Sequence, residues 1–288
     1  MKPVAFEYCR PDGVAEAVAL LAEFGPEASV LAGGMSLGIL LNMRLARPAA
    51  LIDVKRVPGM GSIAVEGMEI RTGATLKQAA AMADAGLMQS LPLLALALPH
   101  VGHFQTRNRG TLGGSVAHAD PSSEIPLVLA TLGGAVELTS KRGKRRVAAR
   151  EFFVDVLTTT RAADELLTAL LWPARRAGAG YAFDEVCQRH GDFAIVAIAA
   201  EATIDTNGKL AQLALGLGGV EGRPLVADTI AFLGRSADEM LAGEIAAAAA
   251  DAVEPMSDLK ATADYRRALI RARGAAVLAA AFENAGKR

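Results

Sequence analysis

The chain has 288 residues, of which 52% are hydrophobic and 21% charged, with 30 basic and 31 acidic side chains. This composition is typical of a folded globular protein and excludes a disordered chain or a small disulfide-stapled scaffold. A net charge of −1 argues against a nucleic-acid binder, which needs concentrated Lys and Arg. No apolar run reaches the ~20 residues of a membrane span, and no signal-peptide pattern is present, so we expect a cytoplasmic protein.

Cysteine and histidine are scarce in this sequence. Cys9 and Cys187 form no Cys-x-x-Cys spacing, whereas an iron–sulfur cluster is usually held by four thiolates. The four histidines have no cysteine or carboxylate partner at zinc-ligand spacing. We therefore expect neither an iron–sulfur cluster nor a metal ion on this chain.

Strand-like and helix-like segments alternate in the first hundred residues. Residues 28–32 form a short apolar run that ends at Gly33-Gly34, and leucines recur at helical spacing after Ser36. This pattern predicts a strand, a tight glycine turn and a helix. Further along, the sequence predicts a strand at 50–54, a hairpin at 63–72, and helices at 75–85 and 87–98.

Residues 100–124 have almost no periodicity and many polar, glycine and serine residues. We predict a long loop here, and long loops inside compact chains are usually functional. Ser122 or Ser123 is predicted to cap a helix that runs to about Leu132. Residues 136–148 are predicted to form a hairpin with a solvated basic tip.

A strand predicted at 166–172 is followed by the best linker candidate in the chain, residues 173–180, where we place a domain boundary. Beyond it, strands at 195–204 and 210–217 are predicted to be joined by a type I′ turn at Asn207-Gly208. Residues 228–287 are alanine-rich and predicted to be helical. The second domain is therefore predicted to be α+β.

Two glycine segments are candidates for binding a phosphate group. Gly33 and Gly34 leave backbone amides open to a ligand, although a plain strand-to-helix connection is the alternative. Residues 111–115 contain two further glycines together with two side-chain hydroxyl groups. Glu124, further along the chain, could accept hydrogen bonds from a polyol. The tetrapeptide Thr-Leu-Gly-Gly recurs at 131–134 without polar neighbours, so the neighbours of the first copy carry the signal. No Walker or Rossmann glycine pattern is present.

Three motifs together resemble a known family. They are AGGMSL from residue 32, ALPHVGHFQTRNRGTLGGSVAHADPSSEIP from residue 97, and QRHGDFAIVAIAAEA from residue 188. In order and separation they look like the FAD-binding medium subunits of molybdenum hydroxylases, the group of xanthine dehydrogenase and bacterial carbon monoxide dehydrogenase. The similarity covers nearly the whole chain.

The resemblance implies an α+β fold in two domains. Residues 1–175 would form a two-part FAD-binding domain of the vanillyl-alcohol-oxidase (PCMH) type, with subdomains of about 1–57 and 58–175. Residues 176–288 would form a smaller α+β domain with an antiparallel sheet and helices. FAD would lie extended, with its diphosphate between the two glycine loops.

The resemblance also assigns residues to FAD. Glu124 would contact the ribityl chain, Leu166 or Leu167 the isoalloxazine, and Phe193 the side of the ring, unless Phe193 is a core residue. Arg107 and Arg109 either pair with surface carboxylates or contact a cofactor or partner. The full set assigned to FAD is Ala32, Gly33, Gly34, Met35, Ser36, Thr111, Gly113, Gly114, Ser115, Ala117, Glu124, Leu166, Leu167 and Phe193.

One position departs from the family pattern. Some relatives have a lysine near the flavin just after the aromatic residue of segment 181–183, where this chain has Asp184-Glu185. A cation there would favour a reduced flavin that carries negative charge. The redox tuning of the flavin is therefore left open by the sequence.

The implied function is electron relay. In the family, substrate is hydroxylated at a molybdenum cofactor on a large subunit, and electrons cross two [2Fe-2S] clusters on a small subunit to FAD, which passes them to an external acceptor. We expect a dimer of such heterotrimers and assign no catalytic acid or base to this chain. The alternatives are a stand-alone FAD-dependent oxidase or reductase, and an assembly module that has lost FAD. The substrate, and the choice among oxygen, NAD and quinone as acceptor, stay open.

Overall fold

The computed structural model describes residues 2–286. The chain begins with a small parallel sheet and two helices. These elements are β1 (Glu7–Cys9), α1 (Val14–Phe24), β2 (Ala28–Leu31), α2 (Leu37–Asn42) and β3 (Ala50–Asp53). The strand order is β1-β3-β2 and both pairs are parallel, so all three strands end at the same edge of the sheet.

The second part is built on a five-stranded antiparallel sheet of order β4-β5-β10-β6-β7. Its strands are β4 (Ile63–Glu66), β5 (Glu69–Gly73), β6 (Ala135–Ser140), β7 (Gly143–Ala148) and β10 (Leu166–Pro173), and β8 (Phe153–Asp155) and β9 (Thr158–Thr159) form a separate pair. The helices are α3 (Gln78–Ala83), α4 (Ala85–Ser90), α5 (Pro92–Ala97), α6 (Phe104–Arg107), α7 (Leu112–His118), α8 (Glu124–Thr131) and α9 (Ala149–Phe152).

The third part is a four-stranded antiparallel sheet backed by two helices. It comprises β11 (Ala179–Val186), β12 (Val196–Ile204), β13 (Leu210–Gly218), β14 (Leu225–Val226), α10 (Glu239–Asp251) and α11 (Ala263–Gly286). Gly180 of β11 packs so closely on α11 that an added Cβ would overlap the carbonyl oxygen of Ala281. The helix α11 therefore packs directly against the backbone of β11.

Two hydrophobic cores meet at this sheet. Along β12, Ala197 and Ala199 belong to the first core, which also contains α5, α8 and Trp172. Their neighbours Val196 and Ile198 belong to the second core, with α10 and α11. Because successive side chains of a strand point to opposite faces, a strand covered on both faces is apolar at consecutive positions, as β12 is from Val196 to Ala200. This accounts for the continuous apolar run in the sequence.

The predicted α+β fold, with a two-part first domain and a smaller second domain, is confirmed. The predicted hairpins are present with bounds that differ by one residue at an end, and the helix predicted at 36–45 is present but shorter, while β1, α1 and β11 were not predicted. The helix predicted at 228–287 is two helices, α10 and α11, and its last residue, Lys287, lies outside the described residues. No helix within residues 2–286 has the length and apolarity needed to cross a bilayer.

The prediction of a long loop at 100–124 was wrong, because α6 and α7 lie within it. The Thr111 hydroxyl caps α7 by accepting a hydrogen bond from the amide of Gly114, at 3.0 Å. The type I′ turn was also wrong. Gly208 has φ +76°, whereas Asn207 has no positive φ, because Asp205 accepts hydrogen bonds from the amides of Asn207 and Lys209.

The basic hairpin tip is exposed, as predicted, but its arginines are paired rather than simply solvated. Arg142 pairs with Asp164, and Arg145 donates two hydrogen bonds to Glu165. Ser123 stands at the N-cap of α8, yet its hydroxyl accepts no amide hydrogen bond there.

Candidate functional site

A cleft opens where the parallel sheet meets the second part of the chain. The first glycine loop, residues 32–36, follows β2 and touches the segment that leads into α7. An added Cβ on Gly33 would overlap the carbonyl oxygen of Arg109 and lie 2.9 Å from Cα of Gly110. The two glycine segments are therefore in backbone contact, which only a residue without a side chain allows.

The first loop presents unpaired backbone amides. Among residues 2–286, no protein acceptor takes a hydrogen bond from the amides of Gly33, Gly34, Met35 or Ser36. Gly34 has φ +73°, a conformation that favours glycine. Consecutive amides of this kind form a concave surface suited to an anion. The first loop is thus equipped to bind a phosphate group through its backbone.

The second segment differs, because most of its amides are already used. The amide of Leu112 donates to Leu76 O at 2.9 Å, and that of Gly113 to Ala74 O at 3.0 Å. An added Cβ on Gly113 would lie 2.5 Å from Cβ of Ala74. This glycine is required by close packing between α7 and the residue after β5. The half-buried Ser115 and the exposed Ala117 follow on the same short helix.

The cleft has a volume of about 600 Å³ and a strongly basic lining. Its lining residues are Tyr8, Arg10, Gly33, Asp53, Lys55, Arg56, Thr75, Lys77, Arg109 and Thr111. Five cations thus face one carboxylate, and that carboxylate accepts a hydrogen bond from Tyr8 and pairs with Lys55 at 2.9 Å. The cleft therefore carries a positive charge that an anionic ligand would neutralise.

Most of these cations were missed by the sequence reasoning. Arg10 follows β1 directly and Lys55 lies two residues beyond β3, so both stand at the carboxyl edge of the parallel sheet. A basic residue just past β1 and just past β3 is the signal that could have located these two. It went unused because β1, only three residues long, was not recognised.

Glu124, the predicted ribityl contact, is the first residue of α8 and is 7% exposed. Its pKa is raised to about 7, chiefly by burial and in smaller part by the nearby Asp120 carboxylate. Its own backbone amide and Arg107 oppose the shift. Arg107 itself donates to the carbonyl oxygens of Val101, at 2.9 Å, and Gly102, at 2.7 Å. The alternative that Arg107 pairs with a surface carboxylate is therefore wrong.

Glu185 is a second buried acid, placed on β11. Its side chain is 1% exposed, and neither carboxyl oxygen has a hydrogen-bond partner among the described residues. His100 Nδ1 lies 3.4 Å from Glu185 Oε1, and the His100 ring packs against Phe183 with centroids 5.2 Å apart. Burial is the main cause of a Glu185 pKa raised to about 8, the charges of Glu124 and Asp184 also raise this pKa, and the Cys187 thiol lowers it. Sequence reasoning noted the position only as a missing lysine.

The other residues assigned to FAD are not in one place. Leu166 and Leu167, at the start of β10, are buried in the first core, so their contact with an isoalloxazine stays a prediction. Phe193 is 55% exposed, and Lys260 Nζ lies 5.1 Å from its ring centroid. The alternative that Phe193 is a core residue is therefore wrong.

Comparison with known proteins identifies the family. The model of the FAD binding domain in molybdopterin dehydrogenase matches residues 4–175, and that of the CO dehydrogenase flavoprotein C-terminal domain matches residues 181–281. The chain belongs to this flavoprotein family. It is therefore a medium, FAD-binding subunit of the molybdenum hydroxylase type and an oxidoreductase subunit.

Curated relatives and solved structures match this flavoprotein over nearly its full length. It is 37% identical over 99% of its length to the 6-hydroxypseudooxynicotine dehydrogenase complex subunit alpha of Paenarthrobacter nicotinovorans, of which it covers 97%. It is 35% identical over 92% of its length to the carbon monoxide dehydrogenase medium chain of Afipia carboxidovorans, of which it covers 93%. A structure of carbon monoxide dehydrogenase from Hydrogenophaga pseudoflava matches with TM-score 0.95, 33% identity and 99% of both chains.

The residues of this flavoprotein fit FAD at the cleft. The cofactor carries a diphosphate, and the first loop offers four amides without a protein acceptor, with its Gly33 lining the cleft that holds five cations. The backbone contact at Gly33 leaves no space for a Cβ, so the loop is shaped by glycine. Donor chemistry and charge therefore both match the diphosphate of FAD.

Proposed function

We propose that this flavoprotein relays electrons between an iron–sulfur subunit and an external acceptor, after substrate hydroxylation on a molybdenum subunit. The carrying observation is the set of unpaired amides from Gly33 to Ser36, the first of which belongs to a residue that lines the basic cleft. A diphosphate group held there would anchor FAD. When bound, FAD supplies the redox chemistry, and the chain supplies binding, orientation and electrostatics.

We assign the chain's own residues as follows. The amides of the first loop hold the diphosphate, with Arg10, Lys77 and Arg109 neutralising its charge. Thr111, Gly113, Gly114 and Ser115 form the opposing wall, and there the glycines allow close packing. Glu124 accepts hydrogen bonds from the ribityl hydroxyls, and the exposed ring of Phe193 lies beside the isoalloxazine.

The partners are proposed from the relatives. The names of these relatives describe a subunit alpha of a dehydrogenase complex and a medium chain of carbon monoxide dehydrogenase. We expect a large subunit with the molybdenum cofactor and a small subunit with two [2Fe-2S] clusters, assembled as a dimer of heterotrimers in the cytoplasm. The boundary between the FAD domain and the second domain is proposed to lie near residue 175.

The first experiment is an absorption spectrum of the full chain, followed by chromatography of the cofactor released on heating. FAD at one equivalent per chain supports the assignment, and co-purification of a molybdenum protein and an iron–sulfur protein supports the partners. A chain that neither carries nor takes up FAD contradicts the proposal. Rapid reduction of the flavin by an organic substrate without partner subunits favours a stand-alone oxidase or reductase.

A charge variant tests the cleft itself. Lys77→Gln removes one cation from the lining, and Lys209→Gln removes one from an exposed turn of the second domain as a matched control. Because hydrogen bonds to charged groups are worth about 1.5–3 kcal/mol, K77Q should raise the Kd for FAD by at least about tenfold. K209Q should leave it unchanged. Equal Kd values for both variants would place the diphosphate elsewhere.

A further inference from the structure

The basic cleft extends beyond the loop proposed to hold the diphosphate. Its lining runs from Gly33 on the first loop to Tyr8 on β1 and Asp53 at the end of β3. FAD has two arms beyond its diphosphate, a riboflavin arm and an adenosine arm. Glu124 and Phe193, which we assign to the riboflavin arm, lie on α8 and just before β12, outside the parallel sheet. The end of the cleft at the parallel sheet is therefore left to the adenosine arm.

Tyr8 places an exposed aromatic ring at this end of the cleft. The residue is 53% exposed and belongs to the cleft lining. Among residues 2–286, no other aromatic ring and no cation stacks on it. A planar base can stack on such a ring, and every nucleotide base has a face suited to this contact. The ring of Tyr8 is therefore available to a base that enters the cleft.

A buried carboxylate holds this ring in place. The Tyr8 hydroxyl donates a hydrogen bond to Asp53 Oδ2, and Asp53 is 5% exposed. Lys55 contacts the same carboxylate through its Nζ, at 2.9 Å, and through its backbone amide, at 3.0 Å. The hydrogen bond to Asp53 is also the main reason why the pKa of Tyr8 is raised. Because the ring is fixed before any ligand arrives, little side-chain entropy is lost on stacking.

The parallel sheet sets the spacing between Tyr8 and the first loop. The strand order β1-β3-β2 places β3 between the strand that carries Tyr8 and the strand that leads to Gly33. Since neighbouring strands lie about 4.8 Å apart, those two strands are separated by roughly 10 Å. Asp53 pairs in register with Leu31, two residues before Gly33. In an adenosine diphosphate the ribose lies between the phosphates and the base, and this separation leaves room for it.

We propose that Tyr8 stacks on the adenine of FAD and thereby makes the cleft selective for FAD over FMN. The proposal rests on the proposed function, because it takes the diphosphate to lie at the first loop. FMN has the riboflavin arm and a single phosphate but no adenine, so it gains nothing from the Tyr8 ring. Tyr8 is therefore a residue that determines cofactor specificity, and no bond is made or broken there.

The size of the effect follows from base stacking. Stacking of one base on an aromatic side chain typically contributes about five- to 150-fold in affinity. Tyr8→Leu removes the ring, so the Kd for FAD should rise by a factor in this range while the Kd for FMN stays unchanged. Tyr8→Phe keeps the ring and loses only the hydroxyl that contacts Asp53. The Kd of Y8F for FAD should therefore stay closer to the wild-type value than that of Y8L.

The test is titration calorimetry of the full chain, freed of flavin, with FAD, FMN and ADP. Y8L should weaken the binding of FAD and of ADP by similar factors, because both ligands carry the adenine. Tyr265→Leu is the matched control, since Tyr265 is 48% exposed and lies on α11 of the second domain. Y265L should keep the wild-type Kd for all three ligands. If FMN binds too weakly to titrate, the ADP titrations decide.

Wild-type protein provides a second measurement that needs no variant. ADP should bind at least about fivefold more tightly than methyl diphosphate, which carries the same charge but no base. Equal Kd values for these two ligands would overturn the proposal even if Y8L does not fold.

The outcomes separate this proposal from the proposed function. Wild-type protein that binds no FAD overturns the proposed function itself. Wild-type protein that binds FAD, with a Y8L variant of equal affinity for FAD and ADP, overturns the adenine contact alone. A Y8L variant that loses as much affinity for FMN as for FAD also overturns it, because the ring would then contact the riboflavin arm. Weaker binding of FAD and ADP with unchanged binding of FMN supports the contact.

Discussion

The contact between the two glycine segments makes Gly33→Ala the most informative single substitution. The added Cβ would overlap Arg109 O and lie 2.9 Å from Cα of Gly110. The opposing backbone has little freedom to move, because Gly110 donates to Thr106 O at 2.6 Å and accepts from the amide of Gln78 at 2.9 Å. The two segments must therefore separate by several tenths of an ångström.

The cost of this overlap follows from overpacking, which typically destabilises by about 1–3 kcal/mol. At roughly 2–4 °C per kcal/mol for a chain of this size class, Tm should fall by about 5 °C. Separating the segments also displaces the amides of the first loop, so we expect the Kd for FAD to rise at least about tenfold, a change of ~1.4 kcal/mol.

A matched control is available five residues further on. Gly38 lies within α2, and nothing comes within 4 Å of an added Cβ there. Since glycine in a helix costs about 0.5–1 kcal/mol relative to alanine, Gly38→Ala should raise stability and keep FAD affinity. Unfolding is followed by the fluorescence of Trp172, the single tryptophan, which lies in the first core. G33A with wild-type stability and wild-type Kd would refute the reasoning.

Three further predictions concern the core, the ring site and pH. Thr72→Val removes the hydroxyl that accepts a 2.9 Å hydrogen bond from the buried Trp172 Nε1. The free energy of unfolding measured by urea denaturation should therefore fall by about 1–3 kcal/mol. Unchanged stability would contradict a role for this bond. Phe193→Ala should change the free energy of unfolding by less than about 0.5 kcal/mol, because the ring is exposed. The same substitution should weaken FAD binding measured by fluorescence. Unchanged affinity would contradict a contact between Phe193 and the isoalloxazine. Between pH 4.5 and about 7, Glu124 is protonated in the folded chain but ionised in the unfolded chain. The free energy of unfolding of the flavin-free chain should therefore fall by up to about 3 kcal/mol as pH rises through this range. Thermal melts of Glu124→Gln should show a smaller decline, and an equal decline would contradict the buried acid.

The sequence located the strand, glycine turn and helix at 28–42, because each of these elements has a local pattern. The strand is an apolar run, the turn has paired glycines, and the helix has leucines at helical spacing. The hairpin of β12 and β13 was found in the same way. Its turn was misassigned, because the side chain of Asp205 selects a different geometry from the one that Asn-Gly favours alone.

Features that depend on tertiary contact could not be read from the sequence. The helix α7 contains two glycines, which disfavour helices, and it forms because Gly113 packs on Ala74 and Thr111 caps the first turn. The basic cleft collects Arg10, Lys55 and Lys77 from distant positions, and no sequence pattern is common to all three. The burial of Glu124 and of the Glu185 side chain depends on elements distant in sequence, so neither flank indicates it.

The close fit of Gly180 against α11 has a consequence for biosynthesis. The helices and strands of the first two parts precede residue 176, so these parts can begin to fold while the ribosome is still making the rest of the chain. The strand that carries Glu185 lacks its backing helix until the final residues of α11 emerge, because Ala281 lies near that helix's end. The newborn flavoprotein should therefore form the amide loop and α8 early and complete its second sheet last, so that FAD could be captured before synthesis ends.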